Sequence, residues 1–138
     1  MEYQVKFSPI LIEFTETKHS VEKMLSTSNI TYMDMMDIML AIDEAITNII
    51  IHGYDNVKSE DFIQLLIKGD AEKIIITIMD TGREFDFDAT PLPDIRKNLS
   101  GMKKGGFGVH LIKSVMNKVE HFRIANVNKL ILTKVLAA

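Results

Sequence analysis

One segment, from about Thr31 to Ile51, constrains the fold more than any other part of this chain, because it is apolar in almost every helical direction. Its length and spacing predict one α-helix, which the turn at His52-Gly53-Tyr54 would end. A helix of this composition must be buried on most sides. The rest of the chain must therefore supply a layer that covers it.

The remaining hydrophobic pattern supplies that layer as a sheet. Alternating or isoleucine-rich segments predict five strands, at Tyr3–Phe7, Phe62–Lys68, Lys73–Asp80, Val119–Ala125 and Leu130–Leu136. Two more helices are predicted, one beginning at Ser8-Pro9 and ending near Ser26, the other from Phe107 to Val119. We expect an α/β two-layer sandwich, with one mixed, mostly antiparallel sheet and helices on one face.

Composition excludes several classes of protein. The chain has 138 residues, enough for a single domain spanning 1–138, and its 46% hydrophobic and 25% charged residues exclude wholesale disorder. A formal net charge of −3 gives no basic field for holding nucleic acid directly. The absence of cysteine excludes disulfides, thiolate metal sites and cysteine nucleophiles. No apolar run is long enough for a membrane span, and the N-terminus lacks a signal-peptide core, so we expect a soluble cytoplasmic protein.

The long helix has one narrow polar stripe. At 100° per residue, Asp37, Glu44 and Asn48 fall within about 40° of one another, with Asp34 and His52 beside them. The stripe could be the solvated face of a surface helix or the lining of a cleft. Glu44 and Asn48 lie one turn apart, and oxygen ligands at that spacing suit a hard cation such as Mg²⁺, which uses few protein ligands.

Two other features point to ligand binding, each weakly by itself. Asp80 ends an apolar strand and Gly82 follows, which permits close approach of a ligand to the backbone but is also typical of a plain turn. The glycines at Gly101, Gly105, Gly106 and Gly108, with Lys103 and Lys104 among them, precede a helix. Backbone N–H groups there, together with lysines, suit a phosphate, although a hinge explains the glycines equally well.

The order of these motifs is more specific than any one of them. E-A-I-T-N-I-I-I-H-G-Y on a helix, D-T-G-R-E-F-D after a strand and G-G-F-G-V-H-L-I-K opening a helix resemble the GHKL ATPases, which have the Bergerat ATP-binding fold. More narrowly, the chain resembles the bacterial anti-sigma factor serine/threonine kinases. The resemblance extends over nearly the whole chain, to L-I-L-T-K at its end.

The resemblance implies a role for each matching residue. Glu44 would be the general base for the hydroxyl that is phosphorylated, and Asn48 would coordinate Mg²⁺ at the ATP phosphates. Asp80 would accept a hydrogen bond from the adenine amino group, Gly82 would make room for the base, and Thr133 would support the adenine edge.

The glycine motif would form the phosphate side of the same site. Gly106 and Gly108 would line the phosphates, and Pro91–Gly105 would be an ATP lid that brings Lys103 or Lys104 near the γ-phosphate. Further nucleotide contacts are expected from His52, Gly105 and Val109.

These roles imply an ATP- and Mg²⁺-dependent serine/threonine kinase. It would phosphorylate a small anti-anti-sigma regulator, bind a sigma factor and form a homodimer. Two departures from the family pattern favour an alternative, a nucleotide-dependent binding switch without kinase activity: Arg96, the lid's only arginine, lies well before the glycines, and Arg83-Glu84 alters the rim of the second motif. There are two other interpretations. One is a related module from a response-regulator or phosphatase pathway, and the other is a small α/β domain with accidental motifs.

Overall fold

The computed structural model describes residues 1–85 and 107–137, apart from the side chain of residue 107. The lid expected at Pro91–Gly105 lies outside these residues. The described elements are the strands β1 (Glu2–Phe7), β2 (Ile63–Gly69), β3 (Lys73–Asp80), β4 (Lys118–Ile124) and β5 (Val127–Val135), and the helices α1 (Leu11–Ser26), α2 (Tyr32–His52) and α3 (Phe107–Val115).

The five strands form one sheet in the order β1-β2-β3-β5-β4. Every described pairing is antiparallel, which confirms the predicted mostly antiparallel sheet. The register places Asp80, at the end of β3, between Ile63 on β2 and Asn128 on β5. The carboxylate that ends the central strand is therefore held between two neighbouring strands.

The core lies between one face of this sheet and the helices. Ile74, Ile76 and Ile78 alternate along β3 and are fully buried, while the β3 residues between them are partly exposed. Period-two burial on a central strand means that one sheet face is covered and the other is not. This confirms the two-layer sandwich that the hydrophobic pattern predicts.

Helix α2 forms where the apolar segment predicts it. Thr31 caps its N-terminus, with Oγ1 accepting a hydrogen bond from the Asp34 backbone N at 3.1 Å. Ile38, Ile42 and Ile46, spaced one turn apart, are fully buried against the core. The helix ends at His52, and the Gly53 backbone N donates to Ile49 O at 2.8 Å.

Three predicted boundaries are wrong by a few residues. Helix α1 begins at Leu11 rather than at Pro9, and the Glu13 carboxylate accepts from the Ser8 backbone N at 3.1 Å. Helix α3 ends at Val115 because residues from Lys118 onward pair with β5 instead. The closing hairpin turns at residues 125–126, with Ala125 at a φ of 55°, so the last strand begins at Val127 rather than at Leu130.

None of the helices in the described part of the chain combines the length and apolarity that a bilayer span needs.

Candidate active site

The centre of the site is the contact between α2 and the start of α3. Glu44 and Asn48 lie one turn apart on α2, and Gly108 is the second residue of α3. A Cβ atom added to Gly108 would lie 2.7 Å from Glu44 Oε2 and 3.0 Å from Asn48 Nδ2. The structure therefore brings together three residues that the sequence assigns to one site.

The side-chain amide of Asn48 lacks a hydrogen-bond partner for its nitrogen among the described residues. This nitrogen, Nδ2, is also buried. A buried polar group without a partner costs about 1–3 kcal/mol, so such a group at a site calls for a ligand atom. The backbone of Gly108, at the start of α3, is packed against the same amide.

The polar stripe on α2 divides into two parts with different roles. Asp37 accepts a 2.8 Å hydrogen bond from the Lys134 ammonium, and Asp34 accepts one of the same length from the Ala137 backbone N. These two acids hold the end of the chain against α2, so the first half of the stripe is structural. Glu44 and Asn48 form no such contact with described residues, and the ligand-facing part of the stripe begins at Glu44.

The environment of Glu44 suits a proton acceptor. Partial burial raises the pKa of its carboxyl above the ordinary value of 4.5, and the neighbouring Asp43 charge raises it further. Asp43 itself is paired with Lys18 at 3.0 Å. A carboxylate whose pKa is raised toward neutrality is a stronger base than an ordinary one, yet it can still be ionised near pH 7.

Asp80 is buried, with 4% of its surface exposed, and hydrogen bonds hold its carboxylate. Its Oδ1 accepts from the Gly82 backbone N at 2.8 Å and from Asn128 Nδ2 at 2.9 Å. Burial raises the pKa of Asp80, while these two donors and the Arg123 charge lower it and so oppose that shift. Both bonds reach Oδ1, so Oδ2 is the oxygen that can accept from a ligand.

Two glycines allow the first and second motifs to touch. A Cβ atom on Gly82 would lie 3.0 Å from Gly53 O and 3.1 Å from Gly53 Cα. The Arg83 backbone N also donates to Gly53 O at 2.9 Å, and the Arg83 side chain pairs with Asp55 at 2.8 Å. The H-G-Y and D-T-G-R segments are therefore interlocked through their backbones, which places the end of α2 beside Asp80.

Tyr54 joins the same segments through a polar network. Its hydroxyl accepts from the Thr81 backbone N at 3.0 Å and lies 2.9 Å from Thr81 Oγ1. Thr81 Oγ1 in turn donates to Asp61 Oδ1 at 2.9 Å and accepts from the Phe62 backbone N at 3.1 Å. The network fixes the loop after α2 against the strand end that carries Asp80.

The other predicted site residues differ in their exposure, and some lie outside the described part of the chain. His52 is exposed at the last position of α2. Val109 is fully buried, so its side chain belongs to the core and only its backbone N–H, in the first turn of α3, can face a ligand. The predictions for Lys103, Lys104, Gly105 and Gly106 lie outside the described residues.

The structure does not place Thr133, predicted to support the adenine edge directly or through water, beside Asp80. Thr133 pairs with Ile75, whereas Asp80 pairs with Asn128, five positions along β5 from Thr133. That offset corresponds to about 17 Å at the rise of a strand. Asn128 is the β5 residue that lies beside Asp80. The turn at residues 125–126 fixes the register of β5 in the sheet and so determines this pairing.

Asn128 and Arg123 are the functional candidates that the sequence did not reveal. Arg123 Nη1 donates to Asn128 Oδ1 at 2.7 Å and to Gly82 O at 3.1 Å. Both residues lie in the closing hairpin, where an asparagine is ordinarily explained by the turn itself. Only the strand register, which brings Asn128 opposite Asp80, distinguishes it.

The described residues fit Mg²⁺ only in the manner of a nucleotide-bound ion. No group of three or more histidine or acidic side chains in the described part of the chain could hold a metal by itself. Asn48 offers a single amide beside Glu44, and its unpartnered Nδ2 is suited to a phosphate oxygen. Mg²⁺ often takes one or two protein ligands and completes its shell with phosphates and water.

Comparison with known proteins agrees with this geometry. The family model described as "Histidine kinase-like ATPase domain" matches residues 10–134. The chain is similar to proteins named serine-protein kinase RsbW from Staphylococcus aureus strains MSSA476 and MRSA252, each 31% identical over 106 residues, which are 74% of this chain and 67% of each relative.

Two solved structures resemble its fold. The RsbU and RsbW domains of Rv1364c from Mycobacterium tuberculosis match with a TM-score of 0.71 and 14% identity, over 99% of this chain and 32% of that one. The histidine kinase domain of the blue-light activated kinase EL346 from Erythrobacter litoralis matches with a TM-score of 0.58 and 14% identity, over 91% of this chain and 60% of that one. The chain thus spans about a third of the first and three fifths of the second.

Proposed function

The chain belongs to the histidine kinase-like ATPase family, which confirms the resemblance predicted from its three motifs, and on that premise we propose that it is an ATP-dependent serine/threonine protein kinase. The observation that best supports the proposal is the contact of Glu44 and Asn48 with Gly108 at the start of α3. It brings a carboxylate, an unpartnered amide and a helix N-terminus to one point.

Glu44 is the general base in this proposal. The carboxylate accepts the proton of a serine or threonine hydroxyl as that oxygen attacks the γ-phosphorus of ATP. The bond between the γ-phosphorus and the bridging oxygen breaks, and ADP leaves with the electron pair of that bond. The raised pKa of Glu44 supports this role, because the carboxylate must bind the incoming proton.

Asn48 and the start of α3 hold the phosphates. The first backbone N–H groups of α3, which include those of Gly108 and Val109, have no acceptor within the helix and are suited to phosphate oxygens. Asn48 would contribute its amide to the phosphates and to Mg²⁺. When bound, Mg²⁺ would neutralise charge on the phosphoryl group that is transferred.

Asp80 and Gly82 hold the base. An ionised Asp80 accepts the hydrogen bond of the adenine amino group through Oδ2. By the family resemblance, Gly82 is proposed to make room for the base. His52, exposed at the last position of α2, is proposed as a further nucleotide contact. Lys103, Lys104 and Gly105 are proposed to act on the phosphates from a lid at residues 91–105, and Gly106 is proposed to line the phosphates with Gly108.

The protein substrate is proposed from the relatives named RsbW and from the family resemblance. We propose a small anti-anti-sigma regulator as phospho-acceptor, a sigma factor as the competing partner, a homodimeric state, one domain over 1–138 and a cytoplasmic location. The unphosphorylated regulator would displace the sigma factor, and phosphorylation would release the regulator.

The test is phosphoryl transfer to a candidate regulator encoded beside this gene. The purified chain is incubated with that regulator, ATP and MgCl₂, and the regulator is analysed by intact mass and by phosphopeptide mapping. A single added phosphate on serine or threonine, absent with Glu44→Gln, is expected. Nucleotide-dependent capture of the regulator without phosphate would contradict the kinase and favour the binding switch.

A further inference from the structure

Asn128 lies at the centre of a small cluster of hydrogen bonds beside Asp80. The two hydrogens of its Nδ2 are shared among three acceptors, Asp80 Oδ1 at 2.9 Å and the backbone oxygens of Gly82 and Arg83 at 3.0 Å each. Its Oδ1 accepts from Arg123 Nη1 at 2.7 Å. One side chain therefore connects the carboxylate, the loop that follows it and a cation on the neighbouring strand.

Arg123 fixes which way the Asn128 amide points. A guanidinium has donors and no acceptor, so the atom that faces Arg123 must be the amide oxygen. The Asn128 NH₂ group is then directed at Asp80 and cannot be exchanged with the oxygen by a flip. Asp80 consequently faces a donor from Asn128 in every arrangement that keeps the Arg123 contact.

This arrangement determines where Asp80 can carry a proton. Oδ1 already accepts from both Gly82 N and Asn128 Nδ2, so a proton on Asp80 would have to occupy Oδ2. Oδ2 is also the oxygen that can reach a ligand. Protonation would therefore turn the ligand-facing acceptor into a donor.

Whether the site prefers adenine or guanine depends on the protonation of Asp80 Oδ2. Adenine presents an amino donor where guanine presents a carbonyl acceptor. An ionised Oδ2 matches the amino group and repels the carbonyl, whereas a protonated Oδ2 has the opposite preference. A site built around one hydrogen bond discriminates strongly against a ligand that leaves its buried group unpaired.

We propose that Asn128 and Arg123 form a positioning pair that keeps Asp80 ionised and oriented as an acceptor, and that this pair makes the site selective for adenine over guanine nucleotides. The inference rests on the proposed function, since it deepens the role of Asp80 in ATP binding. In this proposal both residues act through Asp80, which Asn128 contacts directly and Arg123 reaches through Asn128.

Other charged groups near Asp80 bear on its ionisation. Arg123, from β4, favours the carboxylate. Tyr54, at the end of α2, lies close enough for the Asp80 charge to raise its pKa, and Asp61 reaches the same network through Thr81. The Arg83 guanidinium is paired with the carboxylate of Asp55, which lies in the loop after α2. Asn128 Nδ2 and the Gly82 backbone N are thus the donors to Asp80 Oδ1, and Arg123 acts on the carboxylate through its charge and through Asn128.

The first experiment measures Asp80 without any nucleotide. The carboxyl ¹³C signal of Asp80 is followed by NMR against pH in the wild type, in Asn128→Ala and in Asn126→Ala, an exposed asparagine in the same hairpin. Loss of the Asn128 donor should raise the Asp80 pKa, because one hydrogen bond that lowers it is removed. Asn126→Ala should leave it unchanged. Equal Asp80 titration in all three proteins would overturn the proposal.

The second experiment measures selectivity. Calorimetric Kd values for ATP and GTP are determined between pH 5.5 and 8.5 for the same proteins and for Arg123→Lys and Arg123→Gln. We expect the ATP preference to fall at least tenfold in Asn128→Ala and Arg123→Gln, with the low-pH loss of ATP binding moved to higher pH. Arg123→Lys, which retains a donor and a charge, should recover part of the preference.

The outcomes separate this inference from the function on which it rests. Protonation of the nucleotide is common to all variants, so differences among them report on Asp80. An ATP preference within twofold of wild type in both Asn128→Ala and Arg123→Gln would overturn the positioning pair while leaving ATP binding intact. A wild type that binds no ATP would refute the proposed function, and the NMR titration would still decide whether the pair controls Asp80.

Discussion

Gly108 lies directly against the carboxylate of Glu44: a Cβ atom on this glycine would be 2.7 Å from Glu44 Oε2. The same atom would be 3.0 Å from Asn48 Nδ2. The first turn of α3 therefore faces the polar stripe of α2 with no side chain between them. The glycine therefore permits the close approach that brings the start of α3 against the two proposed catalytic and phosphate-binding groups.

Substitution of Gly108 by alanine should impair phosphoryl transfer without unfolding the protein. The new methyl group meets the ends of two side chains, which can rotate away, and alanine is favoured over glycine within a helix by about 1 kcal/mol. Displacing Glu44 by a fraction of an ångström to an ångström should lower kcat roughly 100-fold. Steady-state kinetics and thermal unfolding test this against Ser114→Ala on the exposed face of α3. Unchanged kcat would contradict the site geometry.

Substitution of Gly82 by alanine should instead destabilise the fold. Its added Cβ would meet Gly53 O and Gly53 Cα at 3.0 and 3.1 Å, and backbone atoms cannot rotate away. We expect a loss of about 1–3 kcal/mol in the free energy of unfolding, measured by urea denaturation. Gly108→Ala is the matched comparison, because it adds the same methyl group against side-chain ends. Equal stability of the two variants would refute this explanation of the close contact.

Glu44→Gln should abolish transfer while ATP binding stays within about threefold of wild type. The amide retains the shape of the side chain but cannot accept the hydroxyl proton, and loss of a general base costs about 100- to 10,000-fold in kcat. In the wild type, kcat should fall as pH decreases through the raised pKa of Glu44, because only the ionised form accepts a proton.

Asp43→Asn provides the control for that pH profile. The Asp43 charge raises the pKa of Glu44, so its removal should move the acidic fall in kcat to lower pH with little change in the maximal rate. Parallel loss of ATP binding and transfer in Glu44→Gln would instead make Glu44 a structural residue.

The fold was largely predictable because its signals are local. The hydrophobic pattern of the sequence predicts the period-two burial of β3 and the apolar turns of α2. The order of the three motifs assigns Glu44, Asn48, Asp80 and Gly108 to one site, and Glu44, Asn48 and Gly108 lie together in the structure. The position of Thr133 away from Asp80 was not predictable, for a non-local reason. Which residue of β5 faces Asp80 depends on where the hairpin turns, and a small error there shifts every pair along the strand.

The α2 stripe shows a second limit of sequence analysis. Asp34 and Asp37 are acidic residues on or beside the same polar stripe as Glu44, yet they bind the backbone N of Ala137 and the ammonium of Lys134, respectively. Those partners are about a hundred residues away in the chain. Helical periodicity can group the acids, but only tertiary packing determines which of them are paired.

Removal of the Tyr54 hydroxyl should weaken the connection between α2 and the Asp80 loop. Tyr54→Phe deprives Thr81 of the oxygen that its backbone N meets at 3.0 Å, and we expect about 1–2 kcal/mol lower stability by urea denaturation. Tyr32→Phe, at a 69% exposed position on α2, is the matched control and should be neutral. In the Thr81→Val background the effect of Tyr54→Phe should shrink; full additivity would mean that the two residues are not coupled.

Asp80→Asn should lower ATP affinity while preserving the fold. The new amide oxygen can still accept from Gly82 N and Asn128 Nδ2, so its NH₂ group must occupy the position of Oδ2 and face the adenine amino group with a donor. Loss of a hydrogen bond to a charged acceptor, about 1.5–3 kcal/mol, corresponds to roughly a 10- to 100-fold rise in Kd, measured by calorimetry.

The effect of Asp80→Asn on stability should be opposite to its effect on ATP affinity: relative to wild type, the variant should gain stability toward neutral pH. Because folding raises the pKa of Asp80 above 3.8, the folded chain binds that proton more tightly than the unfolded chain, and the free energy of unfolding falls as pH rises through the raised pKa. Asp80→Asn lacks this loss, so its stability relative to wild type should increase with pH over that window. Asp70→Asn, in the exposed β2–β3 turn, should leave ATP affinity unchanged. If Asp80→Asn also left ATP affinity unchanged, the adenine assignment would be wrong, whatever its effect on stability.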